Sequence, residues 1–164
     1  MNPHENTHMN AAGSAPLVAI VDDDEAVREG LALLLRTVGL RTRCYADASA
    51  FLAAADDAGI ACVLLDIRMP GMSGLDLLET LGERWDFPVI VLTGHGSVDA
   101  CRRAFKRGAL DFLRKPVDDD ELIDTVQQAI RTQRAQRGRR GRDEAGRSRA
   151  ARHATVSVRE GEVL

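Results

Sequence analysis

The chain of 164 residues has room for one domain of ordinary size, whose core folds without disulfides or a structural metal, together with a tail. Hydrophobic residues make up 45% of the sequence but aromatic residues only 4%, which favours helices packed on a buried sheet over an all-β sandwich. The net charge of −3 conceals an acidic body and a basic tail, because residues 1–130 carry 12 Lys and Arg against 21 Asp and Glu, whereas residues 131–164 carry 10 against 4.

The sequence has no pattern typical of a targeting or membrane-spanning segment. Residues 1–16 are polar and lack the apolar stretch of a signal peptide, and we expect them to be disordered. The longest apolar runs have the length of buried strands and are too short to cross a bilayer. Cys44, Cys62 and Cys101 are odd in number and widely spaced, which is typical of reduced thiols. We therefore expect a soluble, cytoplasmic protein that does not bind membranes.

Short apolar runs alternate with helical patterns between residues 17 and 133. The predicted strands are, in chain order, Leu17–Val21, Arg41–Tyr45, Ile60–Leu65, Phe87–Leu92 and Ala109–Arg114. A helix follows each strand, and Asp24, Asp47 and Ser97 are the predicted N-caps of the first, second and fourth helices. Five strands that alternate with five helices imply parallel crossovers. The sequence thus predicts an α/β fold with a flavodoxin-like, doubly wound, five-stranded parallel sheet of order 2-1-3-4-5.

Polar side chains stand at the carboxyl ends of four predicted strands. Asp22 and Asp23 follow the first strand, Asp66 the third, Thr93 the fourth and Lys115 the fifth. Since the carboxyl ends of parallel strands meet at one edge of the sheet, we expect these side chains to lie together. Three clustered carboxylates repel one another unless a cation neutralises them. An all-oxygen ligand set completed by water suits Mg²⁺ or Mn²⁺.

The same set contains the parts that phosphoryl transfer to a carboxylate requires. Such a transfer needs a metal ion at the phosphoryl oxygens, a fixed cation opposite the metal and a hydrogen-bond donor. Asp66, Lys115 and Thr93 supply the protein groups. Taken singly, each has a simpler explanation: Asp22–Asp24 as an N-cap and turn, and Thr93 or Lys115 as an ordinary strand end. Their joint placement favours the chemical interpretation, whereas Gly74 in the following loop is assigned to a backbone requirement.

Four motifs, read in chain order, carry a family likeness. They are Val21–Asp24, Leu65–Gly74, Thr93–Gly96 and Asp111–Pro116. Together they resemble the receiver domains of two-component response regulators, in particular the FixJ-like branch, over about residues 17–133. The resemblance implies a sensor histidine kinase as the partner that phosphorylates the chain.

The resemblance also assigns roles to individual residues. It implies that Asp66 is the phosphoacceptor, and that Mg²⁺ is held by Asp22, Asp23, Asp66 and the backbone carbonyl of Arg68. Thr93 and Lys115 would contact the phosphoryl group.

By the same resemblance, Thr93 moves inward on phosphorylation and lets Phe112 turn inward, which reshapes the surface of the fourth helix and fifth strand. Phe112 lacks a tyrosine hydroxyl, so only its rotamer carries the signal, and composition alone makes it a core aromatic. Phosphorylation-dependent homodimers through this face are a further expectation. The bond between Lys115 and Pro116 is expected to be cis. His95 is interpreted as a polar loop residue.

Other functional classes fit part of the pattern. A hydrolase of the haloacid dehalogenase type also combines an Asp nucleophile with Mg²⁺ on a parallel sheet, but it needs a second Asp two residues later, where this chain has Arg68. We therefore expect no enzyme activity beyond self-phosphorylation from a phosphodonor and slow self-dephosphorylation. A stand-alone receiver that acts by protein docking or phosphorelay is the remaining alternative.

The basic tail is predicted to be a flexible linker over residues 134–155, because the apolar pattern ends after Ile130. Contact with DNA phosphates is the second interpretation of its arginines. Ser157 and Glu160 then form a capping-box pattern that is typical of a helix start. Residues 156–164 resemble the beginning of a LuxR-type helix-turn-helix domain. We expect transcriptional output through that DNA-binding domain, which is largely absent from these residues.

Overall fold

The structure is a computed structural model that describes residues 14–55, 59–94 and 98–161, with side chains described as far as Ala151. The strands are β1 (Leu17–Val21), β2 (Arg41–Tyr45), β3 (Ile60–Asp66), β4 (Val89–Thr93) and β5 (Asp111–Arg114). The helices are α1 (Glu25–Thr37), α2 (Ala48–Ala54), α3 (Gly74–Leu81), α4 (Val98–Lys106) and α5 (Asp119–Gly161). A 3-10 turn at Gly82–Arg84 follows α3. The predictions for His95 and Ser97 lie outside the described residues.

All strands pair in parallel, in the order β2-β1-β3-β4-β5. This confirms the predicted doubly wound α/β fold with its flavodoxin-like strand order. Strands β4 and β5 begin two residues later than expected. Before β4, Pro88 has no N–H to donate to a neighbouring strand. Before β5, Ala109 donates its N–H to the Ala104 carbonyl of α4 at 3.0 Å.

The core lies on both faces of the sheet. One face packs against α2, α3 and α4, and its large, fully buried side chains include Phe51, Leu65 and Leu77. The other face packs against α1 and α5, with Ile20, Leu35 and Leu122 among them. Each such side chain contributes about 1.5–3 kcal/mol through burial. The sheet is therefore a firm base for the loops at its carboxyl edge.

Helix caps place the loops that follow the strands. Asp24 accepts hydrogen bonds from the N–H groups of Ala26 and Val27 and so begins α1 directly after β1. Asp47 caps α2 in the same way. Both N-cap predictions are confirmed. At the other end of α1, Gly39 adopts a φ of 81°, which a side chain would disfavour.

The last helix differs from the prediction. The apolar pattern ends near Gln133, but α5 continues to Gly161 as helix, so the segment expected to be a flexible linker is helical. Arg, Ala, Gln and Glu are good helix formers, and a packed helix supplies the nucleus on which further turns form. No separate helix begins at Ser157, because residues 147–156 contain no Gly or Pro to interrupt α5. The domain boundaries at residues 134 and 156 remain predictions.

The N-terminal segment also differs in part from the prediction. Arg41 donates from its backbone N–H to the Pro16 carbonyl at 2.9 Å and from Nε to the Ala15 carbonyl at 2.7 Å. These bonds fix the last residues of the segment that was expected to be disordered. Across the described parts of the chain, none of the helices combines the length and apolar character needed to span a membrane.

Candidate functional site

The carboxyl edge of the sheet brings three carboxylates together. Asp22 follows the end of β1, Asp23 stands beside it, and Asp66 is the last residue of β3. One oxygen from each carboxylate lies within 4.8 Å of the other two. Asp22 and Asp66 are buried, whereas Asp23 is exposed. The expectation that these strand ends meet is therefore met by the structure.

Lys115 closes the cluster from the end of β5. Its Nζ donates to Asp22 Oδ2 at 2.6 Å and lies 3.5 Å from Asp66 Oδ2. Partial burial lowers the pKa of Lys115, but the hydrogen bond to Asp22 and the charge of Asp66 outweigh burial and raise the pKa above its ordinary 10.5. The ammonium is thus a fixed positive charge at neutral pH.

Asp66 is held in an environment that disfavours its charge. Burial and the neighbouring Asp22 carboxylate raise the pKa of Asp66 from 3.8 to about 6, although Lys115 and the N–H of Arg68 favour the ionised form. Three ionised carboxylates and one ammonium leave a formal charge of −2 in the cluster. Oxygen ligands with this charge fit a hard divalent cation such as Mg²⁺.

Backbone hydrogen bonds hold the Asp22 loop in place. The Asp22 Oδ1 accepts from the N–H of Asp24 at 2.9 Å, and its carbonyl accepts from Arg28 Nη1 at 2.8 Å. Its own N–H donates to the Tyr45 carbonyl at 3.2 Å. Sequence reasoning did not identify Arg28, because an arginine in the first turn of α1 has the pattern of an ordinary surface charge.

The loop after Asp66 passes very close to the strand end. The Arg68 N–H donates to Asp66 Oδ1 at 3.2 Å, and the Gly74 N–H donates to the Ile67 carbonyl at 2.9 Å. A Cβ on Gly74 would overlap the backbone oxygen of Asp66 and stand 2.9 Å from the Ile67 Cα. Gly74 therefore meets a backbone requirement, as expected. The sequence did not reveal that this requirement lies directly beneath Asp66.

Thr93 occupies the neighbouring strand end. Leu92 of β4 pairs with Asp66, so Thr93 stands one residue beyond the pairing partner of Asp66. Thr93 is buried, and its carbonyl accepts from the Lys115 N–H at 2.8 Å. The peptide bond that joins Lys115 to Pro116 is cis, as expected.

Residues 18–127 match the response regulator receiver domain family. The chain belongs to this family. The chain is 44% identical over 149 residues to the transcriptional regulatory protein FixJ of Azorhizobium caulinodans, an alignment that covers 90% of this chain and 69% of FixJ. It is 41% identical over 125 residues to the response regulator protein TmoT of Ectopseudomonas mendocina, which covers 76% of this chain and 56% of TmoT. The chain therefore spans only part of the length of these relatives.

A solved structure agrees with the fold of this receiver. The crystal structure of FixJ-N superposes with a TM-score of 0.68 at 41% identity, covering 73% of this chain and 96% of FixJ-N. The predicted likeness to FixJ-like response regulators is thus confirmed.

Phe112 of the receiver does not lie with the carboxylates. It is half-buried on β5, and its ring meets that of Phe105 on α4 edge to face, with centroids 5.9 Å apart. Both rings line a groove of about 570 Å³ between α4 and β5. Val98 adds to its apolar surface, and Arg102, Lys106 and Arg114 contribute cationic side chains.

Proposed function

We propose that the chain is a phosphorylation-controlled receiver in which Asp66 accepts a phosphoryl group from a sensor histidine kinase. The observation that carries the proposal is the buried Asp66 carboxylate, which shares one sheet edge with Asp22, Asp23 and the Lys115 ammonium. Family membership implies a kinase as partner. The high pKa of Asp66 supports the same role, because raised basicity accompanies stronger nucleophilicity in a carboxylate that is still ionised at neutral pH.

The transfer step is a displacement at phosphorus. A carboxylate oxygen of Asp66 forms the new P–O bond while the bond from phosphorus to the kinase histidine nitrogen breaks and its electron pair leaves with the nitrogen. In this proposal Lys115 stabilises negative charge on the phosphoryl oxygens, and Thr93 donates a hydrogen bond from its hydroxyl. In the acyl phosphate that results, Lys115 keeps a counter-charge opposite the group.

A divalent cation fits the remaining charge of the cluster. We assign Asp22, Asp23, Asp66 and the Arg68 carbonyl as its protein ligands, with Mg²⁺ as the expected ion and Mn²⁺ as a substitute. An ion held by these residues would supply positive charge to neutralise the phosphoryl oxygens. The hydrogen bonds from Asp24 and Arg28 to Asp22 hold the ligand loop in position without the ion.

The switch would run from Thr93 to Phe112. Thr93 moves toward the phosphoryl group, and Phe112 changes rotamer and leaves its contact with Phe105, which alters the groove between α4 and β5. A second copy of the chain is the proposed occupant of this face after phosphorylation. Size-exclusion chromatography with beryllofluoride would then show earlier elution, and an unchanged elution volume would count against dimer formation.

The output proposed for the whole protein is control of transcription. FixJ is a transcriptional regulatory protein, and this chain aligns with 69% of its length. We propose that residues 134–155 link the receiver to a LuxR-type DNA-binding domain whose beginning is at residues 156–164. The proposed location is the cytoplasm, where a histidine kinase would donate its phosphoryl group.

Phosphoryl acceptance can be measured directly. Incubation with Mg²⁺ and acetyl phosphate should add the mass of one phosphoryl group to the wild-type chain, and chelation of Mg²⁺ should prevent it. Asp66→Asn should remain unmodified, whereas Asp99→Asn, which changes an exposed acid on α4, should behave as wild type. Modification of Asp66→Asn, or steady hydrolysis of a phosphate ester by the wild type, would contradict the proposal.

A further inference from the structure

Asp86 joins the receiver body to the continuation of α5. The Asp86 carbonyl accepts from Gln133 Nε2 at 2.7 Å. Each of its two carboxylate oxygens accepts a hydrogen bond from a different arginine: Oδ2 from Arg137 Nε and Oδ1 from Arg140 Nη1, each at 3.0 Å. The three donors are spaced four and three residues apart, so they lie on one face of α5. A single residue between the 3-10 turn and β4 thus contacts two successive turns of the helix.

The continuation of α5, residues 134–161, is here called the arm. Gln133, just before the arm, is buried, whereas residues 134–151 are all exposed. Apolar burial therefore does not hold this part of the arm against the body. The ion pairs from Asp86 to Arg137 and Arg140 span its first two turns.

The sequence of the arm weakens its helix. Gly138, Gly141 and Gly146 each lower helix propensity relative to alanine. A Cβ at Gly141 or Gly146 would meet no atom within 4 Å, so packing does not require either glycine. Residues 134–151 lack apolar burial and contain three glycines, so this stretch of helix depends on the contacts that fix its first turns.

We propose that Asp86 is an anchor that keeps the arm helical. The anchor is far from Asp66 along β4, since it precedes the amino end of that strand whereas Thr93 ends it. The proposal does not depend on phosphorylation of Asp66. It makes the arm conditionally ordered: helical while the arginines hold Asp86, and frayed when they release it.

The side chain of Asp86 can be tested without disturbing the body. Asp86→Asn removes the charge that binds both arginines but keeps the backbone carbonyl that Gln133 contacts. Asp143→Asn makes the same charge change within the arm and serves as the matched control. Hydrogen exchange of the full chain reports each segment separately. We expect amides of residues 134–146 in Asp86→Asn to exchange about five- to tenfold faster, with residues 119–130 unchanged.

A second variant separates the anchor from general loss of stability. Gly141→Ala adds a methyl group in open space and raises helix propensity. Combined with Asp86→Asn, it should restore much of the lost protection. In the wild type, high salt should speed exchange in the arm, because exposed ion pairs are screened, whereas Asp86→Asn should be nearly insensitive to salt.

Three outcomes would overturn the proposal. Exchange in Asp86→Asn that equals the wild type would show that the arm is helical without the anchor. Faster exchange in the control Asp143→Asn to the same extent would assign the effect to overall charge. Faster exchange throughout the sheet would show that Asp86 supports the whole body and not the arm.

Discussion

Replacing Asp66 by Asn should stabilise the protein at neutral pH in the absence of divalent cations. The folded protein raises the pKa of Asp66 from 3.8 to about 6, so the folded state holds this proton more tightly than the unfolded state. Above the folded pKa the ionised carboxylate therefore costs stability. The difference between the two pKa values corresponds to about 3 kcal/mol as an upper figure. Screening by solvent at the sheet edge reduces this figure, and we expect Asp66→Asn to raise the free energy of unfolding by about 2 kcal/mol.

Urea unfolding across a pH series measures this effect. The advantage of Asp66→Asn should be full above about pH 7, shrink as the pH falls through 6, and vanish below the ordinary value of 3.8, where both states of the wild type are protonated. Asp99→Asn should leave the free energy of unfolding within about 0.5 kcal/mol of wild type. Excess Mg²⁺ should stabilise the wild type but not Asp66→Asn. A less stable Asp66→Asn, or a gain that does not change with pH, would refute the electrostatic reasoning.

Three further substitutions test the surroundings of the site. Gly74→Ala forces a methyl group against the Asp66 backbone. It should lower the free energy of unfolding in urea by about 2–4 kcal/mol and slow phosphoryl acceptance. Wild-type stability would contradict the close approach of Gly74 to the Asp66 backbone. Lys115→Met removes the ammonium that pairs with the Asp22 and Asp66 carboxylates. It should slow phosphoryl acceptance from acetyl phosphate at least about tenfold and tighten Mg²⁺ binding in calorimetry. Weaker Mg²⁺ binding would show that Lys115 supports the metal site. Arg28→Gln loses the hydrogen bond to the Asp22 carbonyl and should weaken Mg²⁺ binding about threefold to tenfold, whereas unchanged affinity would show that the Asp22 loop needs no such support.

The strand ends show what the sequence could predict. Apolar runs bounded by Asp, Gly and Pro located β1, β3 and β4, and a parallel sheet has only one carboxyl edge. Asp22 and Asp66 were therefore predictable as neighbours without coordinates. The N-cap at Asp24 was equally predictable, because it depends on residues within one turn.

Contacts between distant segments were not predictable in the same way. In the sequence Gly74 has the pattern of any loop glycine, and only the structure shows that it lies against the backbone of Asp66 at the end of β3. Asp86 and Gln133 are 47 residues apart, and no local pattern relates them. The helix over the arm was not predicted, because the prediction relied on a helical repeat of apolar residues and the arm has none. Its first turns are instead joined to the body by ion pairs.

The most direct test of the central claim locates the phosphoryl group on the chain. After reaction with a phosphodonor, borohydride reduces an acyl phosphate to an alcohol, and peptide mass spectrometry identifies the carboxylate that was modified. We predict reduction at Asp66 alone, dependent on Mg²⁺ and absent in Asp66→Asn. Reduction at Asp22 or Asp23, or equal labelling without Mg²⁺, would contradict the assignment of Asp66 as the phosphoacceptor.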